Sequence, residues 1–182
     1  MKIKAILDTN VFISGVFWKG PPFEILKAWQ EQRFRLAISP PILDEYRRVL
    51  DELTKERALP VLSSILKVIE FNSELVEPIS FSEPVCSDPH DDKFLEAAVA
   101  ASANYVVSGD RALLNIKSHH RVEIVRPARF FEAASPIGGV EMRGNITDKI
   151  LPTQKSSFHR AFEVPRDLQR NRSPQPILLI LR

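Results

Sequence analysis

The sequence contains one cysteine, Cys86, among 182 residues. A single cysteine excludes an intrachain disulfide, which fits a reducing compartment. No cysteine or histidine stands near it at ligand spacing, so we expect Cys86 to be structural and not a zinc ligand. The four histidines form no HExxH motif and no paired zinc spacing, and there is no glycine-rich phosphate loop. We expect His119 and His120 to lie in a solvent-exposed turn.

Long apolar runs and strong net charge are also lacking. The run Ile177 to Leu181 is far shorter than the roughly 20 residues of a membrane-spanning helix, and the N-terminal residues show no signal-peptide pattern. We therefore expect a cytoplasmic protein with no membrane segment. The formal net charge of +2 indicates no partner by itself, but residues 133–182 contain eight Lys or Arg against four Asp or Glu. This end of the chain is basic, whereas the rest is slightly acidic.

The chain divides into two parts with different patterns. Residues 1–134 alternate apolar, strand-like runs with helix-like periodicity, which predicts parallel strands joined by right-handed helical crossovers. The predicted strands are 3–7, 34–39, 75–79, 104–108 and 122–125, and the predicted helices are 21–32, one opening at Ser39, 60–71, 91–103, 111–117 and 127–134. The predicted class is a three-layer α/β/α sandwich. Residues 135–182 hold five of the 14 prolines and show neither period, so we expect a basic, irregular and mostly disordered tail.

Acidic residues recur where such a sheet would place a ligand. Asp8 directly follows the first strand and Asp110 follows the strand 104–108, and the carboxyl ends of parallel strands are where open α/β sheets bind ligands. Asp91 and Asp92 open an alanine-rich helix, and Glu45 flanks the apolar face of another. Carboxylates gathered at one edge repel each other unless a cation lies between them. Ligands that are all oxygen suit Mg²⁺ or Mn²⁺, which can activate water for phosphodiester hydrolysis.

Each candidate also has a simpler explanation. Asp91 and, less readily, Asp92 would cap a helix N-terminus, and Glu45 would be a solvated surface residue. Lys93 and Arg111 adjoin the acids and could contact phosphate, but ordinary surface charge explains them as well. Short polar residues near the same points could orient carboxylates or waters; these are Thr9, Asn10, Ser39 and Ser108.

Four motifs occur in an order that resembles the PIN-domain family, in particular the bacterial PIN proteins that are toxins of toxin–antitoxin pairs. They are Leu7-Asp8-Thr9-Asn10-Val11, Ser39-Pro40-Pro41-Ile42-Leu43-Asp44-Glu45-Tyr46, Asp88-Pro89-His90-Asp91-Asp92-Lys93-Phe94-Leu95 and Val106-Val107-Ser108-Gly109-Asp110-Arg111. One such motif is weak evidence, but four in order are strong. The resemblance covers roughly residues 1 to 132.

The resemblance implies a Rossmann-like sheet of five parallel strands and a ribonuclease that depends on Mg²⁺ or Mn²⁺. It also implies an RNA substrate, a cognate antitoxin that binds near the acidic crevice, and a homodimer. The four acids of the family correspond to Asp8, Glu45, Asp92 and Asp110. Its small polar residue corresponds to Ser108, and Asp91 is a neighbour that could substitute or assist.

Two departures from the family and two competing functions are evident. Relatives often carry a further acid where this chain has Ala112, which could weaken a second metal, and residues after Ala134 have no counterpart in the pattern. The first alternative is a non-catalytic RNA-binding PIN domain, although such proteins usually lose an acid and all four are present here. A phosphotransferase of the haloacid-dehalogenase type ranks low because it needs an Asp where this chain has Asn10.

Overall fold

The computed structural model describes residues 2–54 and 61–134, with the backbone alone for Thr54 and residues 61–63. Within this part of the chain, the strands are β1 (Lys4–Leu7), β2 (Arg35–Ile38), β3 (Glu74–Leu75), β4 (Tyr105–Val107), β5 (Ser118–His119) and β6 (Val122–Val125). They form one sheet in the order β3-β2-β1-β4-β6-β5. Every pair is parallel except the antiparallel pair of β5 with β6.

The described helices alternate with the strands. They are α1 (Thr9–Phe17), α2 (Pro21–Gln30), α3 (Pro40–Thr54), α4 (Val61–Asn72), α5 (Asp92–Ala100), α6 (Arg111–Ile116) and α7 (Pro127–Ala134), with a 3₁₀ turn at Pro89–Asp91. Helices α2 and α3 each begin with two prolines, which suit a first turn because those amides need no partner within the helix. None of the helices among the described residues is both long and apolar enough to span a membrane.

The two central strands are the most deeply buried. In β1, Ala5 to Leu7 are fully buried, and in β4, Val106 and Val107 are too. Strands covered on both faces read as continuous apolar runs, which is why the pattern predicted them correctly. Their register aligns Leu7 with Val107, so both strands end at the same edge of the sheet.

Helices cover both faces of this sheet. The chain moves outward from β1 to β2 and β3, and then reverses direction to reach β4 and β6. With right-handed crossovers, this reversal places α1 to α4 on one face and α5 and α6 on the other. Helix α7 packs on α2, and α5 packs on β1 and β4. The predicted α/β fold with its five parallel strands is confirmed.

The structure also corrects several details. Sequence reasoning missed α1, which starts immediately after Asp8, and it missed the short antiparallel strand β5. Strand β3 has two residues instead of the predicted five, and Pro78 beyond it has no amide to donate to a neighbouring strand. His120 is exposed in a turn as predicted. The prediction was wrong for His119, which lies in β5 and packs edge-on against Phe81.

Other predictions concern residues that the structure does not describe. These are the helix start at Pro60 and the disordered basic tail 135–182, which both lie outside the described ranges.

Replacing Gly15 with alanine should destabilise the contact between α1 and α2. A Cβ at this position would lie 2.7 Å from Leu26 Cδ1 and 2.7 Å from the Pro22 carbonyl oxygen. Overpacking costs about 1–3 kcal/mol, and the higher helix propensity of alanine offsets up to about 1 kcal/mol. We therefore expect urea denaturation to show a loss of about 1–2 kcal/mol for Gly15→Ala.

The matched control is Gly109→Ala, because nothing lies within 4 Å of a Cβ built there. It should leave the free energy of unfolding nearly unchanged. Equal losses for the two variants would show that the close approach of α1 and α2 does not limit packing.

Candidate active site

Asp8 and Asp110 share one local structure, in which a strand is followed by an acid that caps the next helix. The Oδ1 atom of Asp8 accepts a hydrogen bond from the Asn10 amide at 2.6 Å, at the start of α1. The Oδ1 atom of Asp110 accepts bonds from the amides of Ala112 at 2.6 Å and Leu113 at 3.3 Å, at the start of α6. Capping fixes both carboxylates at the carboxyl edge of the sheet while leaving further lone pairs on their oxygens.

Ser108 connects these two acids across the sheet. Its hydroxyl donates to Oδ2 of Asp8, and it accepts a hydrogen bond from the Asp110 amide at 2.9 Å. Ser108 and Asp8 are buried, at 0% and 3% exposure. The structure therefore brings together Asp8, Ser108 and Asp110, as expected from strands that end side by side.

Glu45 is drawn into the same region by an ion pair. Its Oε2 atom lies 2.5 Å from Nζ of Lys93, and the two side chains are only 17% and 18% exposed. The same ammonium donates to the carbonyl oxygen of His90 at 2.6 Å. Glu45 is thus not the solvated surface residue of the simpler explanation. Lys93 is not an ordinary surface charge either, because it joins α3 to the turn before α5.

Tyr46 holds α3 against the end of β1, a role that sequence reasoning missed. Its hydroxyl donates to the carbonyl oxygen of Leu7 at 2.5 Å, and its ring stacks on Phe12 with centroids 4.1 Å apart. The only sequence signal was a hydroxyl on the apolar face of a helix. Because Tyr46 follows Glu45 and Leu7 precedes Asp8, this contact ties the first turns of α3 to the end of β1.

The neighbours Asp91 and Asp92 have opposite environments. Asp92 is buried, and its two oxygens accept hydrogen bonds from the amides of Cys86 at 2.7 Å and Val85 at 3.0 Å. Asp91 is partly buried and makes no capping hydrogen bond with its side chain. Asp91 thus stands at the N-cap position of α5, as the simpler explanation predicts, but without the side-chain hydrogen bond of a cap. Asp88 caps the 3₁₀ turn instead, through a bond from the His90 amide.

Burial and mutual repulsion disfavour the charged forms of two acids. The pKa of Asp8 is raised from 3.8 to about 6, chiefly by burial and further by the charges of Asp110 and Glu45, against the lowering effect of its Ser108 and Asn10 hydrogen bonds. The pKa of Asp91 is raised to about 7, chiefly by burial and then by the charges of Asp8 and Asp110. The negative charges of these carboxylates repel each other, and a cation between them would reduce that repulsion.

The predicted supporting residues differ in their contacts. Thr9 and Ser39 are buried at 1% and 0% exposure, and their hydroxyls have no hydrogen-bond partner among the described atoms. A buried hydroxyl without a partner suits a site that takes up water or an ion. Asn10 contacts Asp8 through its backbone amide and not through its side chain. Arg111 is exposed and directly follows Asp110.

The residues present fit a hard divalent cation by chemistry. The donors are carboxylates and hydroxyls, which Mg²⁺ and Mn²⁺ prefer, and the acids carry more negative charge than their surroundings neutralise. Within residues 2–54 and 61–134, however, no three Asp, Glu, His or Cys side chains converge closely enough to form a ready-made metal cluster. A bound cation would therefore have to draw these acids together.

Comparisons with known proteins agree with this architecture. A family profile described as PIN domain matches residues 4–112. The uncharacterized protein MJ1680 of Methanocaldococcus jannaschii is 30% identical over 129 residues, which cover 66% of this chain and 79% of the relative. The crystal structure of PAE2754 from Pyrobaculum aerophilum superposes with a TM-score of 0.53 and 15% identity, covering 74% of this chain and 90% of the other. The latter similarity concerns the fold alone.

The raised pKa of Asp8 predicts how pH changes the stability of the metal-free protein. Because the folded state holds this proton more tightly than the unfolded state, stability should fall as pH rises from 3.8 to about 6. Asp8→Asn removes this titration. In EDTA, the difference in free energy of unfolding, variant minus wild type, should increase by about 2–3 kcal/mol between pH 4 and pH 7.

The control is Asp44→Asn, whose carboxylate belongs to a side chain that is 71% exposed. Its difference from the wild type should stay nearly constant over the same pH range. A constant difference for Asp8→Asn as well would contradict the buried, proton-retaining state of Asp8.

The ion pair of Glu45 and Lys93 should show strong energetic coupling. Lys93→Met leaves a mostly buried carboxylate without its counter-ion and should cost about 1–3 kcal/mol in EDTA. In a double-mutant cycle measured by urea denaturation, adding Glu45→Gln to Lys93→Met should restore at least about 1 kcal/mol of the lost free energy of unfolding. The comparison cycle is Asp44→Asn with Arg47→Met, a pair whose side chains are 71% and 49% exposed and should couple weakly. Additive losses at Glu45 and Lys93 would disprove the pairing.

Proposed function

This chain belongs to the PIN-domain family, whose members are generally nucleases, and we propose that it is a metal-dependent endoribonuclease that hydrolyses RNA phosphodiesters. The observation that carries the proposal is the connected set Asp8, Ser108 and Asp110 at the carboxyl edge of β1 and β4. Two acids fixed side by side on adjacent strands have no packing role. Their arrangement supports a site that would bind a cation and, through it, a phosphate.

The acids and Ser108 would have different roles in such a site. Asp8 and Asp110 would hold Mg²⁺ or Mn²⁺, together with an acid from the pair Asp91 and Asp92. The bound ion would supply an activated water and neutralise charge on the leaving oxygen. Ser108 orients Asp8 by donating a hydrogen bond from its hydroxyl to that carboxylate. Glu45 would hold the ion or position the water once Lys93 separates from it.

In this proposal, Arg111 contacts a phosphate of the RNA substrate. Arg111 is exposed and adjoins Asp110, so its guanidinium can approach a phosphate beside the acids. Lys93 is a weaker candidate than the sequence suggested because its ammonium is held by Glu45. Attack of water on the phosphorus would break the bond to the 3′ oxygen and leave a 5′ phosphate.

The biological role proposed for this nuclease is that of the toxin in a toxin–antitoxin pair, acting in the cytoplasm as a homodimer. Its support is the resemblance of the four sequence motifs to bacterial PIN toxins. An antitoxin would cover the acidic edge, and a basic side chain from it could pair with the acids there as Lys93 pairs with Glu45. The RNA sequence that is cleaved depends on surfaces other than the metal site.

One specific observation favours a second function, that of a non-catalytic RNA-binding protein. Glu45 is paired with Lys93, and both oxygens of Asp92 are occupied by backbone amides. Glu45 and Asp92 are thus two family acids whose charge is already compensated within the protein. If neither is released, the chain would bind RNA without cleaving it.

Cleavage of a mixed pool of structured and single-stranded RNA separates the two functions. With Mg²⁺ or Mn²⁺, the wild type should produce fragments with 5′ phosphates. Asp8→Asn and Asp110→Asn should each reduce the rate by about 100-fold or more, because each removes a carboxylate that would hold the ion. EDTA should abolish cleavage.

The matched control is Asp44→Asn, which makes the same exchange next to Glu45 on the exposed face of α3. It should retain the wild-type rate. RNA binding without cleavage by the folded wild type, with either metal, would reject the nuclease and support the non-catalytic alternative.

A further inference from the structure

Strand β3 forms one outer edge of the sheet that the described residues build. The Val76 amide donates to the carbonyl oxygen of Ile38 in β2 at 2.9 Å, and Leu75 is the register partner of Ile38. Because the backbone groups of successive residues in a strand point to opposite sides, the N–H and C=O of Leu75 point away from β2. An open edge of this kind is a template for a further strand.

Apolar side chains are concentrated at this edge. From residue 74 to 79, exposure alternates with the period of two of an extended chain, and Leu75, Glu77 and Ile79 form the exposed set. Leu75 is 59% and Ile79 is 53% exposed, and Phe71, in the last turn of α4, is 78% exposed. In the part of the chain that the structure describes, these three are the exposed large hydrophobic residues. Their concentration beside an open edge indicates a surface that is covered in solution.

The charge of this edge limits what can cover it. Residues 70–83 contain four Glu and no Lys or Arg. Glu74 forms an ion pair with Lys4 at 2.8 Å, and the other three glutamates are exposed. A second copy that paired through the same edge would bring like charges opposite each other, which disfavours that arrangement. A strand that covers this edge should therefore be apolar and flanked by basic residues.

The chain itself contains such a segment. Residues 177–181 are five successive Ile or Leu, and residues 168–182 contain three Arg and no Asp or Glu. An uninterrupted apolar run suits a strand that packs on both of its faces. Forty-two residues separate Ala134 from Ile177, and a flexible linker of that length has a root-mean-square span of about 35 Å. The six strands span only about 24 Å, so this segment can reach β3.

We propose that residues 177–181 add a strand to the outer edge of β3 of the same molecule. Their backbone would bond to the outward N–H and C=O of Leu75, and their apolar side chains would cover Leu75, Ile79 and Phe71. The flanking arginines would lie near the glutamates of the edge. Tethering favours this segment over a separate partner, because a linked segment has an effective concentration in the millimolar range. The proposal does not depend on nuclease activity, since it involves none of the acids of the candidate active site.

Amide hydrogen exchange in the full chain, followed by NMR, tests the pairing at its centre. In the wild type, the outward amide of Leu75 should be protected. In Leu179→Asp it should exchange at least about 100-fold faster, because a charged side chain cannot be buried in the added strand. The amide of Val76, which is bonded to β2, should stay protected in both proteins. The matched control is Leu151→Asp, the same exchange outside the segment, which should leave Leu75 protected.

The reciprocal variant changes the edge instead of the segment. Because Leu75 is 59% exposed among the described residues, Leu75→Asp should fold, and the protection of the amides in β4 checks that it does. In this variant the amide of Leu179 should exchange at least about 100-fold faster than in the wild type. Direct pairing requires each substitution to expose the amide of the other partner, and an unchanged rate at Leu179 would overturn it.

Three other results would also overturn the proposal, and each identifies a different occupant of the edge. Protection of Leu75 that survives Leu179→Asp would mean that a second copy covers the edge with another surface. Isotope-labelled Leu179→Asp should stay unprotected at Leu75 when unlabelled wild type is added. Recovery of protection in that mixture would mean that the segment comes from another copy. An unprotected Leu75 amide in the wild type alone would leave the edge to a separate partner protein.

Discussion

The parallel pairing of β1 with β4 is the constraint on which the rest of the site depends. It aligns Leu7 with Val107, so the residues that follow both strands emerge at one edge of the sheet. Asp8 and Asp110 then cap the helices that leave this edge, and Ser108 joins them. The topology, with its reversal of direction after β3, leaves a crevice where these strands end.

Gathering acids has an energetic cost, and the protein offsets it in a different way for each one. Asp8 accepts hydrogen bonds from the Ser108 hydroxyl and a backbone amide, and Glu45 forms an ion pair with the ammonium of Lys93. Asp92 accepts hydrogen bonds from two backbone amides. The pKa of Asp91, in contrast, rises to about 7 because burial and the negative charges of nearby acids disfavour its ionised form. A divalent cation bound at this place would stabilise the least compensated of these groups most.

The sequence was sufficient to predict the parts of the structure that follow from apolar patterning. Buried parallel strands give continuous apolar runs, and the acids that follow β1 and β4 were located from those runs alone. Helix α1 was missed because it starts directly after Asp8, with no loop to separate two apolar segments. The opposite environments of Asp91 and Asp92 could not be foreseen, because they depend on the amides of Val85 and Cys86, which only tertiary structure brings near. The ion pair of Lys93 with Glu45 likewise joins two helices that are far apart in sequence.

The most direct test of this account is a crystal structure of the wild type with Mn²⁺, examined for anomalous scattering from the metal. We predict a peak beside the carboxylates of Asp8 and Asp110, which Ser108 joins. A fully ordered acidic edge with no anomalous peak at saturating Mn²⁺ would contradict the metal centre itself.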